Sequence, residues 1–205
     1  PDGSLDEAGR YAFIMQKEGH AQIYGPGLKD GPFPEHYEPL ECPIEKNLFN
    51  NQRMNPVAPV YGSEADAHMT CDPRFPYVGT TYRVSEHWQT GLMTRPQPWL
   101  LELQPQMFVE MSEELAAMRG IKNGERVLVS SARGEVKCTA IVTQRFKPFK
   151  IGGAEIHEVG IPWHFGWRWP DNGQEESANL LTPSTGAPNT RIPESKAFMV
   201  NGSKL

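Results

Sequence analysis

Cysteine is scarce in this sequence. The three present, Cys42, Cys71 and Cys138 in 205 residues, are an odd number at wide spacing, with no CxxC and no Cys/His cluster. That pattern argues against a zinc centre and against a disulfide framework, and leaves buried or partly exposed thiols as the expectation. Long apolar runs are missing too: none approaches the roughly 20 residues of a membrane-spanning helix, so no direct span is expected. Basic excess is absent. Twenty Lys and Arg against 25 Asp and Glu give a formal charge of -5 and a pI near 5.7, which withholds the basic face that nucleic acid requires as a partner. There is no Ser/His/Asp spacing, no P-loop and no GxGxxG. A charged stretch followed by an apolar one is also lacking behind Pro1, so the chain reads as a segment of something longer.

What is present is the composition of a folded, loop-rich protein: 38% hydrophobic, 22% charged, with 19 Gly and 19 Pro. The prolines cluster early. "KDGPFPEHYEPLECP" (29–43) cannot sustain a helix, because each Pro removes a backbone donor and restricts the residue before it. Residues 1–74 are therefore expected to form an extended, irregular arm packed on another surface. Residues 75–205 are expected to form the folded domain.

Within that domain the signals are β-like. "FPYVGTTYR" opens with a short strand and "FVEM" (108–111) is another. Ser112 can then cap a helix "EELAAMR", with Glu113 and Glu114 at its positive end and Gly120 as its stop. Asn123-Gly124 is a turn pair, "RVLVS" a strand, and Arg133-Gly134 a second turn whose charge is expected to be exposed and of little energetic weight. Val136, Cys138, Ala140 and Val142 alternate with polar residues as a half-buried strand should. "EVGIP" and "KAFMV" add two more. These elements predict a closed or nearly closed β-barrel with one or two short helices.

The chemistry concentrates in "GTTYRVSEHWQTGLMTR" (79–95). Arg83, Arg95, Thr80, Thr81 and Thr90 are donors suited to phosphate oxygens, and Gly79 and Gly91 allow close approach of backbone N–H groups. His87 and Trp88 set a polar ring beside a flat surface. A second aromatic group, Trp163, His164, Phe165, Trp167 and Trp169, suits either a planar ligand or a barrel plug. On these residues alone, the reading is a β-barrel for a large, flat, phosphate-bearing ligand, or an ordinary polar loop on a cofactor-free barrel.

The order "YVGTTYRVSEHWQTG", "FVEMSEELAAMRGIKNGERVLVSSARGEVKCTAIVT", "VGIPWHFGW", "ANLLTP" and "PESKAFMV" resembles the carboxy-terminal domain of molybdenum- or tungsten-containing formate dehydrogenases. The resemblance covers roughly residues 30–201 and implies a double-psi β-barrel, mainly β with short helices, behind the irregular arm. It also implies a molybdopterin guanine dinucleotide, two per enzyme, carrying Mo or W. By the same resemblance the cofactor loop falls on Thr80, Thr81, Tyr82, Arg83, Val84, Ser85, Glu86, His87, Trp88, Gln89 and Thr90. Later contacts fall on Asn179 and Lys196, and a substrate-side aromatic on Trp163. Arg83 and Lys196 are expected at anionic or carbonyl oxygens, the Thr hydroxyls at phosphate, and His87 and Asn179 at the pterin edge. Tyr82 and Gln89 stand where related nitrate reductases often have Gly and His, which leans toward the formate branch.

No catalytic residue and no metal ligand is expected on this chain. The family's metal-ligating Cys or selenocysteine and its [4Fe-4S] ligands belong to an earlier segment. The implied partners are the remainder of the catalytic subunit and an iron–sulfur electron-transfer subunit, and the implied location is the periplasm. Nitrate, thiosulfate or polysulfide reductases with the same cofactor are the alternative reading.

Overall fold

A computed structural model describes residues 41–49, 58–59, 71–166, 177–186, 192–193 and 195–205, all within the unit Tyr37–Leu205. Most of the expected arm, together with Trp167 and Trp169 of the aromatic group, lies outside the described residues. Strand β1 is the short pair Ala58–Pro59. Strand β2, Tyr77–Tyr82, buries Tyr77, Gly79 and Thr81 alternately, as a period of two requires when one face meets a core. Strand β3, Phe108–Ser112, is buried along its whole length. Its neighbours are β5, Glu135–Thr143, which runs parallel to it, and β8, Glu158–Pro162, which runs antiparallel. Strands β4, Arg126–Ser130, and β10, Phe198–Lys204, complete a closed ring in the order β10-β2-β8-β3-β5-β4. Two parallel pairs, β2 with β8 and β3 with β5, are set among antiparallel ones, and the ring is the double-psi β-barrel. Closure leaves none of the six strands with an open edge.

The barrel is filled by Val109, Val127, Val129, Val136, Cys138, Ala140, Ile161 and Phe198, each 1% exposed or less. Burial of each larger apolar side chain contributes about 1.5–3 kcal/mol. Helix α2, Glu113–Arg119, covers one flank with Leu115 and Ala116. Ser112 Oγ accepts the Leu115 N–H at 3.1 Å, two glutamates occupy the first turn, and Gly120 ends the helix at φ 63°. The capped helix, both turns and all the strands predicted from alternation are present.

Four features were not expected from the sequence. Helix α1, Pro98–Leu103, follows the polar loop. Strands β6, Phe149–Ile151, and β7, Ala154–Ile156, form a small hairpin. A 3-10 turn covers Ala178–Leu180, and β9, Thr185–Gly186, pairs antiparallel with β1. The fourth feature corrects the expectation for Arg133. Its side chain is only 7% exposed. Nη1 and Nη2 grip Glu41 at 3.0 and 2.9 Å, and Nε donates to the Leu181 carbonyl at 2.8 Å. Glu41, itself buried, also accepts the Met199 N–H at 2.5 Å. One ion pair thereby joins the start of the described chain to the β4–β5 turn, the 3-10 turn and β10. Glu41 is thus attached to the barrel itself.

Candidate functional site

The parallel pairing of β2 with β8 places the carboxyl ends of both strands on one rim, with Tyr82 opposite Pro162. The residues that follow, Arg83 and Trp163, therefore leave the barrel side by side. The Arg83 guanidinium lies 4.8 Å from the Trp163 ring centroid, a cation–π contact. Strand β10 runs antiparallel to β2, so the residues preceding it pass the same rim. Thr81 N–H and Oγ1 both donate to the Ser195 carbonyl, at 3.3 and 2.7 Å. Lys196 Nζ donates to the Thr81 carbonyl and approaches Thr81 Oγ1 at 3.4 Å.

These residues line a cleft of about 370 Å³, closed on its other side by Asn179, Thr182 and Pro183 of the 3-10 turn and by Ile192 and Pro193. That volume is at the lower end for small-molecule sites, roughly 300–1,000 Å³. Among the described residues the lining contains Arg83 and Lys196 and no carboxylate. Burial first, and then the nearby Arg83 charge, hold the Lys196 ammonium below its ordinary range. Two like charges that face one cleft raise each other's cost, and an anion between them would remove it. Trp163 adds a buried indole Nε1–H with no hydrogen-bond partner among the described residues. The donors are therefore two cations, the Ser195 hydroxyl, an amide and an indole N–H, beside one flat ring, while the Thr81 and Thr182 hydroxyls donate to the Ser195 and Asn179 carbonyls. Such a set fits oxygens of a phosphate-bearing, partly planar ligand.

The rest of the loop is held in shape by two histidines. His164 Nδ1 donates to the Gln89 carbonyl at 2.6 Å, and its Nε2 accepts the Val84 N–H at 2.9 Å. Both bonds together require the neutral ring with its proton on Nδ1. Burial is the main cause that holds this imidazole below its ordinary pKa. His87 is buried at 4% exposure. Its Nε2 donates to the Gln104 carbonyl at 2.7 Å, and Nδ1 meets Thr94 Oγ1 at 3.3 Å. The same hydroxyl accepts the Trp88 N–H at 3.0 Å. Gln89 takes a positive φ of 51° and Gly91 one of 83°. A Cβ at Gly91 would lie 2.5 Å from the His164 carbonyl oxygen, so the loop packs there against bare backbone.

Below the rim, the Tyr82 hydroxyl donates to Glu110 Oε2 at 2.7 Å. Glu110 is buried and also takes bonds from Thr143 Oγ1 and Arg145. Burial and the Glu110 bond raise the Tyr82 pKa, so its hydroxyl stays neutral. This cluster anchors the strand end from which the loop departs.

Of the residues expected at a ligand, the structure brings Thr81, Arg83, Trp163, Asn179 and Lys196 to the cleft. Thr80, Tyr82, Val84, Ser85, Glu86, His87, Trp88, Gln89 and Thr90 are not in its lining. Within that group, His87 is turned inward and Trp88, Gln89 and Thr90 are exposed. Thr182, Pro183, Ile192, Pro193 and Ser195 are cleft residues that the sequence did not single out. Only the neighbourhood of "SANLLTP" and "PESKAF" pointed to them. Among the described residues no group of three or more His, Cys, Asp or Glu is placed to hold a metal ion.

The chain is similar to several known proteins. The family model described as "Molydopterin dinucleotide binding domain" matches residues 77–199, more than half of the sequence. Formate dehydrogenase subunit alpha of Megalodesulfovibrio gigas is 59% identical over 204 residues, 100% of this chain and 20% of that protein. The nitrate-inducible formate dehydrogenase major subunit of Escherichia coli is 45% identical over 94% of this chain and 19% of its own length. A nitrate reductase of Symbiobacterium thermophilum is 32% identical over 54% of this chain and 13% of its own. Among solved structures, acetylene hydratase from Pelobacter acetylenicus matches with TM-score 0.51 and 15% identity, over 66% of this chain and 20% of that one, a likeness of fold. The chain spans about one fifth of the length of the curated relatives it matches.

Proposed function

Since the chain belongs to the molydopterin dinucleotide binding domain family, we propose that its rim cleft holds one molybdopterin guanine dinucleotide of a formate dehydrogenase catalytic subunit. The reading places this chain in the carboxy-terminal part of that subunit. The observation that carries it is the pair of cations, Arg83 and Lys196, converging on one cleft beside the Trp163 ring. Formate is preferred as substrate over nitrate because the formate dehydrogenase likeness covers the whole chain at 59% identity, against 32% over about half for the nitrate reductase.

When bound, the cofactor supplies the dithiolene sulfurs and the Mo or W that interconvert formate and carbon dioxide. The chain's own residues bind and orient. Arg83 and Lys196 offer charge-assisted hydrogen bonds to phosphate or carbonyl oxygens, and Ser195 offers a hydroxyl. Asn179 presents an amide on the opposite wall. Trp163 supplies a stacking face backed by His164, whose ring is nearly parallel to it at 26°. The polar loop from Thr80 to Thr90 extends the surface beyond the cleft, with His87 shaping it from within. The further partners in this reading are the remainder of the subunit and a subunit carrying [4Fe-4S] clusters, in the periplasm. Among the described residues no helix is long and apolar enough to cross a membrane.

The test is cofactor retention in the holoenzyme. Each cation contributes roughly 1.5–3 kcal/mol to a buried anionic ligand, equivalent to about ten- to a hundredfold in affinity. Arg83→Met and Lys196→Met should each lower guanine dinucleotide content after prolonged dialysis, while Lys150→Met, an exposed charge on the β6–β7 hairpin, should not. Full retention in both cleft variants with normal folding would refute the assignment.

A further inference from the structure

Arg83 stands one residue beyond the last registered pair of β2 and β8, Tyr82 with Pro162, so the ladder stops short of it. Thr81 and Arg83 line the cleft and Tyr82 between them does not, as the alternation of an extended chain requires. Holding the Tyr82 side chain on the far side therefore sets the turn of the chain that delivers Arg83. Tyr82 is held there in three ways. Its ring lies over Gly160 of β8, where a Cβ would overlap both it and the Phe146 ring. Its hydroxyl donates to Glu110 Oε2 at 2.7 Å. The Arg145 guanidinium covers the ring, 5.1 Å from its centroid, and lies 5.7 Å from that of Phe146. The Tyr82 carbonyl also takes the Trp163 N–H at 3.3 Å, so the same residue bears on both members of the Arg83–Trp163 contact.

Glu110 fixes the direction of this arrangement. Its side chain is 6% exposed. Arg145 donates to Oε1 through Nε at 2.9 Å and to Oε2 through Nη2, and Thr143 Oγ1 donates to Oε1 at 2.9 Å. Stability alone is a poor reason for a carboxylate here, since a buried ion pair gains little over apolar packing of the same volume. What a bidentate pair and a directed hydroxyl supply is orientation.

We propose that Tyr82, Glu110 and Arg145 are positioning residues for the cofactor, joined behind the rim so as to hold Arg83 on the cleft side and set its reach to the ligand's anionic oxygens. The inference rests on the dinucleotide reading of the cleft. None of the three lines the cleft, so each acts through Arg83. Lys196 is held differently, by the carbonyl of Thr81, which lies inside the ladder opposite Ile161. The unit therefore bears on one of the two cations and not on the other.

The experiment compares single and double variants of the holoenzyme by the rate at which guanine dinucleotide is lost during dialysis. Tyr82→Phe keeps the ring over Gly160 and removes the hydroxyl. It should speed the loss about two- to tenfold, the weight of one hydrogen bond. Combined with Arg83→Met it should add nothing further, because the cation it positions is gone, and combined with Lys196→Met its effect should appear in full. A merely structural role would add to both. Arg145→Lys reaches the same unit from a side chain 64% exposed, which spares the core, and should follow the same pattern. No effect of these two variants, or an equal factor with and without Arg83→Met, would overturn the proposal and leave the reading of the cleft standing. Arg83→Met that loses the cofactor no faster than the wild type would overturn both. A readout independent of the cofactor is hydrogen exchange at the Trp163 amide, which should quicken in Tyr82→Phe while residues 136–140 of β5 stay unchanged. Unchanged exchange at Trp163, or a rise across 136–140 as well, would count against positioning and overturn it.

Discussion

At the scale of single residues, His164 and the Arg133–Glu41 pair carry the clearest consequences. The Val84 N–H needs a bare Nε2, so the folded loop favours neutral His164, and burial pushes the ring's pKa below the ordinary value of about 6.5. A depressed imidazole contributes stability that is fully present above the unfolded pKa. As the pH falls below about 6.5 the unfolded chain takes up a proton that the folded one resists, and that stability is lost. The neighbouring charges are Arg83 and Glu86, with His87 beside the ring. Exchange of the Val84 amide, corrected for its intrinsic pH dependence, should therefore accelerate between pH 7.5 and pH 5.5, and His164→Gln should abolish that extra acceleration. A pH-independent corrected rate in the wild type would contradict the bracing role. Arg133→Met removes one partner of a buried pair, and the stranded Glu41 charge should cost about 3–5 kcal/mol in urea denaturation of the chain. A loss within about 0.5 kcal/mol would instead match the exposed turn expected from the sequence. That expectation failed because a turn signal reports backbone shape. It cannot report a partner 92 positions away.

At the scale of elements, what was legible follows from local rules. Val136, Cys138 and Ala140 alternate inward along β5, and Ser112, Glu113, Glu114 and Gly120 frame α2, so each piece could be read where it stands. Ser112→Ala should accordingly lower stability by about 1 kcal/mol, the usual weight of a helix N-cap, in the same urea measurement. The missed elements lack such signals. Helix α1 has Pro98 at its start but no side-chain cap and no buried residue, and β6 and β7 are three residues each. The barrel's closure order was equally hidden, since a parallel pair such as β2 and β8 leaves no mark of its partner in either strand. The cleft inherits this limit: Arg83, Asn179 and Lys196 could be named by family resemblance, but the convergence of Arg83 and Lys196 comes from the register of β2 with β8 and β10, and that of Asn179 from the 3-10 turn. Loop shape offers a sharper test. Gly91 and Gly124 have nearly equal φ, 83° and 84°, but a Cβ at Gly91 meets the His164 carbonyl while one at Gly124 meets nothing within 4 Å. Replacement by Ala at Gly124 should cost about 1–2 kcal/mol from the left-handed backbone alone. At Gly91 the cost should be larger and should be accompanied by loss of Val84 amide protection. Equal costs would show that the loop yields to the clash.

At the scale of the whole molecule, one stretch of chain carries more apolar surface than an isolated barrel needs. Trp88, Leu92, Met93, Trp99 and Leu103 are each at least 60% exposed within a sixteen-residue stretch. The helix α1 that carries two of them has only six residues. So short a helix gains too few internal bonds to persist in water without tertiary packing. Scattered exposed apolar residues are ordinary on a folded surface, but a concentration of five large ones is the mark of a buried interface. The relatives run to about five times the length of this chain, so there is polypeptide enough to cover this stretch in the complete subunit. Hydroxyl-radical footprinting distinguishes the two situations. In the isolated 205-residue chain Trp88 and Trp99 should be oxidised readily, and in the holoenzyme both should be protected, while the exposed Phe149 on the β6–β7 hairpin serves as a reference for dose. Equal oxidation of Trp88 and Trp99 in chain and holoenzyme would mean that this face is solvated in the complete enzyme and that α1 is stabilised by its own loop. Protection of Trp99 alone would place the interface on α1 and leave Trp88 solvated on the polar loop.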